Sequence, residues 1–157
     1  MQHRRRTIEG DEKMAKQWTL WKEIDFSKDL NFPLKYENLN FEEFYFLATG
    51  IKHNADGTTT SNITIIINNL ACGQINTNHT RALDTSNQWV HMKWNGLFWE
   101  TFIQSNSNNE TDYYRQFTNI QRPYANKLNL GICETLDIGI LNTAYKPVKG
   151  TLKIYAR

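Results

Sequence analysis

Four histidines, His3, His53, His79 and His91, are the first groups in this 157-residue chain to weigh for metal or proton chemistry. Imidazole ligands for zinc recur at short, fixed spacing with a second histidine or with cysteines. None of the four has such a neighbour, although His53, Asp56 and His79 fall in or beside loop-like stretches that can converge in space. Cys72 carries no local nucleophile signature and no evident histidine partner, so thiolate catalysis is not expected. Glu42-Glu43, and Glu100 with Glu110, are carboxylate pairs of the kind glycoside hydrolysis uses as acid and base. Nothing in the sequence sets their separation, and carboxylates are mostly solvated surface groups. "HNADGTT" offers oxygen ligands beside a turn, but lacks the alternating acidic residues of a calcium loop. GxSxG, HExxH and glycine phosphate loops are absent. The expectation is a protein without metal, cofactor or catalytic residues.

What the sequence does concentrate is aromatic surface. "WVHMKWNGLFWETFI", residues 89–103, places three tryptophans and two phenylalanines around Asn95-Gly96. Asn-Gly between apolar runs predicts a tight hairpin, because both central positions tolerate positive φ. A two-residue turn pairs Trp94 with Leu97, Met92 with Trp99 and Val90 with Thr101. Those six share one apolar face, assigned to the core. The opposite face carries Trp89, His91, Lys93, Phe98, Glu100 and Phe102. Trp89, His91, Phe98 and Phe102 are therefore the candidate contact residues, for a partner subunit or for a sugar ring stacked on them. Covering a sheet edge, or the 71–88 stretch, is the plainer use of the same rings.

Period-two patterning predicts the elements that hold this face. In "QWTLWKEIDF", Trp18, Leu20, Ile24 and Phe26 fall on one side and Thr19, Glu23 and Asp25 on the other. "FEEFYFLATGIK" reads as a strand buried on both sides. "NADG" reads as a hairpin turn, and the β-branched run "TTTSNITIIIN" as a central strand. Residues 71–88 and "SNSNNETD" read as loops. "YYRQFTNIQ", "KLNLGIC" and "LDIGIL" read as strands, and "GTLKIYAR" as a last one with Leu152, Ile154 and Ala156 inward. "DEKMAKQW" is too short for a helix to stand alone. The prediction is an all-β, two-sheet antiparallel β-sandwich of jelly-roll type with about eight strands.

The chain is one domain in length, over residues 16–157. Residues 1–15 predict a flexible charged arm, within which Arg4, Arg5 and Arg6 are candidates for docking on a larger partner, and Met14 looks like a second start. Aromatics are 13% of the chain, so a core of a few large rings is expected. A net charge of +2 is too small for the clustered basic face that nucleic acid requires. No run approaches the ~20 apolar residues of a membrane span. No apolar segment follows the basic start, which argues against a secretory signal. Cys72 and Cys133 are expected as thiols rather than a disulfide. The sequons at Asn62, Asn78 and Asn109 are expected by chance in an asparagine-rich chain.

At its two ends the chain resembles a known group. "QWTLWKEIDFSKDL" and "KGTLKIYAR" resemble the first and last strands of small β-sandwich proteins and domains encoded among tailed-bacteriophage structural genes. The closing match runs over Gly150-Thr151-Leu152-Lys153-Ile154-Tyr155-Ala156-Arg157. It departs at Ala156, where glycine is usual, and in the long Asn-rich loops. The resemblance implies a non-enzymatic virion component: a head-fibre, capsid-decoration or tail-associated domain. It implies other virion proteins as partners, a homo-oligomer with a trimer favoured, and in some cases host-surface glycans. A carbohydrate-binding β-sandwich module using the aromatic face is the alternative.

Overall fold

The computed structural model describes residues 17–53, 62–76, 85–108, 115–121, 130–140 and 146–157. Ten strands occur among them, more than the eight expected: β1 Thr19–Asp25, β2 Leu34–Tyr36, β3 Glu43–His53, β4 Asn62–Ile67, β5 Leu70–Asn76, β6 Thr85–Trp94, β7 Trp99–Asn108, β8 Arg115–Gln121, β9 Leu136–Ile140 and β10 Pro147–Ala156. They form a six-stranded sheet, ordered β1-β10-β3-β6-β7-β8, and a four-stranded sheet, ordered β2-β9-β4-β5. Every pairing is antiparallel. The chain is an all-β sandwich.

Alternation builds its core. Phe44, Phe46 and Ala48 of β3, Val90 and Met92 of β6, and Leu152, Ile154 and Ala156 of β10 are buried from the large sheet. Ile63, Ile65 and Ile67 of β4, Ile75 of β5, and Leu136 and Ile138 of β9 are buried from the small one. They join one hydrophobic cluster. Each of the larger of these side chains withdrawn from water, the two alanines aside, contributes about 1.5–3 kcal/mol.

Two devices set the geometry of the large sheet. A bulge between Leu20 and Lys22 puts one extra residue into β1 against β10. An extra residue inverts the alternation that follows it. Ile24 and Phe26 therefore enter the core while Trp18 (36% exposed) and Leu20 (45% exposed) stay outside, correcting the single face predicted for all four. Trp21 instead turns toward the core edge, against Tyr36 and Phe41. The second device lies where β3 and β10 cross. Gly50 and Gly150 both have positive φ, and a Cβ on Gly150 would lie 2.7 Å from the Gly50 carbonyl. Glycine at 150 is what lets the backbones come so close, while Gly50, whose added Cβ would meet nothing within 4 Å, is needed for its positive φ.

Other expectations change as well. β3 is buried on one side only, with Tyr45 and Leu47 half-buried and Thr49 exposed opposite its core face. Residues 71–76 and 85–88 are strand, not loop, and β7 runs on to Asn108 through much of "SNSNNETD". Residues 130–133 make only an isolated bridge, Phe41 to Cys133, where "KLNLGIC" predicted a strand. The "NADG" turn lies outside the described residues. The strands on either side of it, β3 and β4, sit in different sheets.

The β6–β7 hairpin is two residues out of register from the prediction: Trp94 pairs Trp99, Lys93 pairs Glu100 and Met92 pairs Thr101. The Asn95 Oδ1 accepts from the backbone N–H groups of Leu97 and Phe98, both at 2.9 Å, which makes a four-residue loop. Only Gly96 in it takes positive φ. A shift of two preserves both faces, so the core assignment survives except at Leu97, which is half exposed in the loop. The two-residue turn with both φ positive is Asn68-Asn69, between β4 and β5.

Candidate functional site

The outward side of the six-stranded sheet collects most of the residues singled out from the sequence. Reading across the register, Tyr155 of β10 stands beside Tyr45 of β3, Tyr45 beside His91 of β6, and His91 beside Phe102 of β7. This row is flanked on one side by Lys153, Leu47 and Trp89, and on the other by Arg157, Glu43, Lys93 and Glu100. The rings touch. Tyr45 and Trp89 stack with centroids 5.6 Å apart and planes 13° apart, and His91 and Phe102 stack at 5.7 Å. Tyr155 meets Tyr45 edge-on at 6.4 Å.

Trp18 lies across this surface because of the β1 bulge. It packs edge-on against Tyr45 and His91, at 6.3 and 5.9 Å, and the Arg157 guanidinium sits 4.4 Å from its ring centroid. Trp18, Tyr45, Leu47 and Tyr155 line an open, apolar groove of about 360 Å³. Such edge-on rings are favourable pairs and leave faces available to a ligand or partner.

Beneath Trp18 the face is tied by one carboxylate. Glu43 is nearly buried, yet it belongs to the outward side. His91 Nε2 donates to Glu43 Oε1 at 2.6 Å, and Arg157 Nε donates to Glu43 Oε2 at 2.7 Å. Burial pushes the Glu43 carboxyl up, but the hydrogen bonds and charges of Arg157 and His91 outweigh it and hold it below the usual carboxylate range. Backbone bonds Arg157 N–H to Glu43 O and Glu43 N–H to Arg157 O, both 3.1 Å, fasten the same pair. Both Glu43 oxygens are thus engaged, one holding His91 in the ring row and the other holding Arg157 at the end of β10. Glu100, the other predicted carboxylate here, accepts from Asn95 Nδ2 at 3.2 Å.

Of the predicted contact residues, Trp89, His91 and Phe102 come together on this face. Phe98 does not join the ladder; it sits in the hairpin loop. Arg4, Arg5 and Arg6, like His3, Asp56, His79 and Glu110, lie outside the described residues. Sequence reasoning missed Trp18, Tyr45, Leu47, Tyr155, Glu43 and Arg157 as members of the site. For Tyr45, Leu47 and Tyr155 the signal was present, since each alternates with core residues. For Trp18 it was hidden by the bulge.

Elsewhere, His53 is buried, and no group of three or more His, Cys, Asp or Glu able to hold a metal occurs among the described residues. Cys72 and Cys133 are buried thiols with no disulfide, their Sγ atoms donating to the carbonyls of Leu70 and Thr135, each at 3.3 Å. Burial, with the neighbouring Cys72 and Glu134, pushes the Cys133 thiol up to about 12. No protein-family model, curated protein or solved structure matches this chain.

Proposed function

We propose that this chain is a non-enzymatic structural module of a tailed-phage virion, a head-fibre, capsid-decoration or tail-associated domain that assembles through the outward face of its six-stranded sheet. The observation that carries the reading is the continuous row of half-exposed rings across four strands, with Trp18 laid over it. Contiguous apolar patches of this kind, rimmed by charge, mark contact sites. The resemblance at the chain ends supplies the virion setting, and with it other virion proteins as partners and a homo-oligomer.

The finer fold reading belongs to the same proposal. With β7 and β8 set aside, eight strands remain, divided four and four. The chain then changes sheet at every connection except β4 to β5. That to-and-fro is the habit of a jelly roll, a double-sheet architecture frequent in capsid proteins. The β7–β8 pair widens the large sheet and extends the outward face.

Light scattering of the intact chain over a range of concentrations tests the assembly reading. A defined oligomer that Leu47→Lys dissolves supports it; an oligomer indifferent to Leu47→Lys removes the face from the account.

The groove between Trp18, Tyr45 and Tyr155 favours a second reading, attachment to a host-surface glycan, in which a sugar's C–H face stacks on an exposed ring. Tryptophan emission that shifts on adding a neutral or charged oligosaccharide, and no longer shifts in Trp18→Ala, supports it. Emission unchanged across a broad panel counts against it.

A further inference from the structure

The order of groups across the outward face is its own complement, and we infer that the face pairs with a second copy of this chain about a two-fold axis. This rests on the reading of that face as an assembly surface. The flanking row reads cation, anion, cation, anion from β10 to β7: Arg157, Glu43, Lys93, Glu100. Place the axis in the contact plane, parallel to the strands and midway between β3 and β6. Half a turn about it lays β10 of one copy against β7 of the other, and β3 against β6. Arg157 then faces Glu100 of the second copy, and Lys93 faces Glu43. In the next row Tyr155 faces Phe102, and Tyr45 and His91 meet across the two Trp18 rings, one from each copy, that pack on them; in the third, Leu47 faces Trp89.

Apart from Lys153 over the Gln104 position in the third row, the contacts in this arrangement are opposite charge on opposite charge or ring and aliphatic on ring, and each occurs twice. That is the definition of an isologous interface, in which one patch meets itself. A three-fold contact joins two different patches of each copy and makes no use of the symmetry of this one. The axis also keeps the facing strands parallel to one another, near the aligned geometry in which sheets pack face to face. Glu43 is largely occupied within its own copy by His91 and Arg157. Arg157 shares that bond and also meets the Trp18 ring, but at 34% exposed against 9% for Glu43 it is the more open of the two, so the discriminating charge contact is Arg157 with Glu100, between side chains at the two lateral ends of the patch.

Sedimentation equilibrium of the intact chain at low and high salt tests the inference, with three variants. Leu47→Lys alters the flanking row of the patch, on a central strand, at a half-buried position. Glu100→Lys sets a cation opposite Arg157, and Lys35→Glu alters the exposed middle of β2 in the other sheet as a control. The wild-type chain and Lys35→Glu are expected to form a dimer of equal strength. Glu100→Lys is expected to weaken it about tenfold or more at low salt, and less at high salt, because facing like charges are screened. Leu47→Lys is expected to be monomeric with an unchanged circular dichroism spectrum. A trimer abolished by Leu47→Lys would overturn the two-fold geometry and leave the face as the assembly surface. A monomer at every concentration, or an oligomer that neither face variant weakens, would overturn both.

Discussion

Replacing Glu43 by Gln isolates the clasp that holds Arg157 and His91 on the outward face. The substitution keeps the side chain's size and removes its charge. Two hydrogen bonds to the charged carboxylate are weakened, each worth roughly 1.5–3 kcal/mol. Against that, the wild-type carboxylate is costly to withdraw from water, and a neutral amide is not. The partners are about a third exposed, 30% for His91 and 34% for Arg157, so both can turn to solvent once released. The net loss at neutral pH is therefore about 2 kcal/mol rather than the full sum. In a chain of this length that lowers Tm by roughly 4–8 °C. The same clasp sets a pH dependence. The folded-state pKa of Glu43 lies below its ordinary value of 4.5, so the stabilisation is complete above that value. It disappears as pH falls through the folded-state pKa. Urea unfolding of both proteins at neutral pH and at successively lower pH should show a gap that is widest at neutral pH and closes in acid. Equal stability at neutral pH, or a gap that persists unchanged in strong acid, would refute the reasoning.

Three further outcomes follow from buried polar groups. Gln88 faces the core with both amide atoms buried and unpaired, so Gln88→Met should stabilise the fold by about 1 kcal/mol in urea unfolding, the desolvation cost of an unmade hydrogen bond; a loss of stability would mean the amide is bonded in solution. The Asn68 amide holds the 130–135 segment through Nδ2 to the carbonyls of Leu130 and Ile132 and Oδ1 from the N–H groups of Glu134 and Thr135. Because it also sits at φ 50°, Asn68→Ala should cost roughly 3–4 kcal/mol in the same assay. With its thiol buried and pushed up to about 12, Cys133 should resist iodoacetamide in the folded protein at neutral pH and react on unfolding, as read by intact mass; rapid labelling of the native chain would contradict the burial.

How much of this was legible in the sequence depended on whether local pattern and tertiary geometry agreed. β4, β9 and β10 were readable because Ile63, Ile65 and Ile67, Leu136 and Ile138, and Leu152 and Ile154 alternate without interruption. β5 was not, since Gly73 and Gln74 interrupt the apolar signal between Leu70-Ala71-Cys72 and Ile75. The β1 bulge is invisible to a period-two reading, and it moved Trp18 and Leu20 from core to surface. Asn95-Gly96 carried the strongest hairpin signal, yet the Asn95 side chain bonds its own loop and lengthens it. Asn68-Asn69, a weaker signal, makes the tight turn. For the face itself, Trp89, His91 and Phe102 came from hairpin parity, which survives a two-residue slip. The Glu43–Arg157 contact spans |i−j| = 114, so no local pattern could announce it.

The most direct test of the central claim is oxidative footprinting of the aromatic rings at low and high protein concentration. If the outward face is where copies meet, modification of Trp18, Tyr45, Trp89 and Tyr155 should fall as concentration rises. Trp94 and Tyr36, half-buried away from that face, should be modified equally at both. Rings on the outward face that stay equally reactive at every concentration would contradict the account.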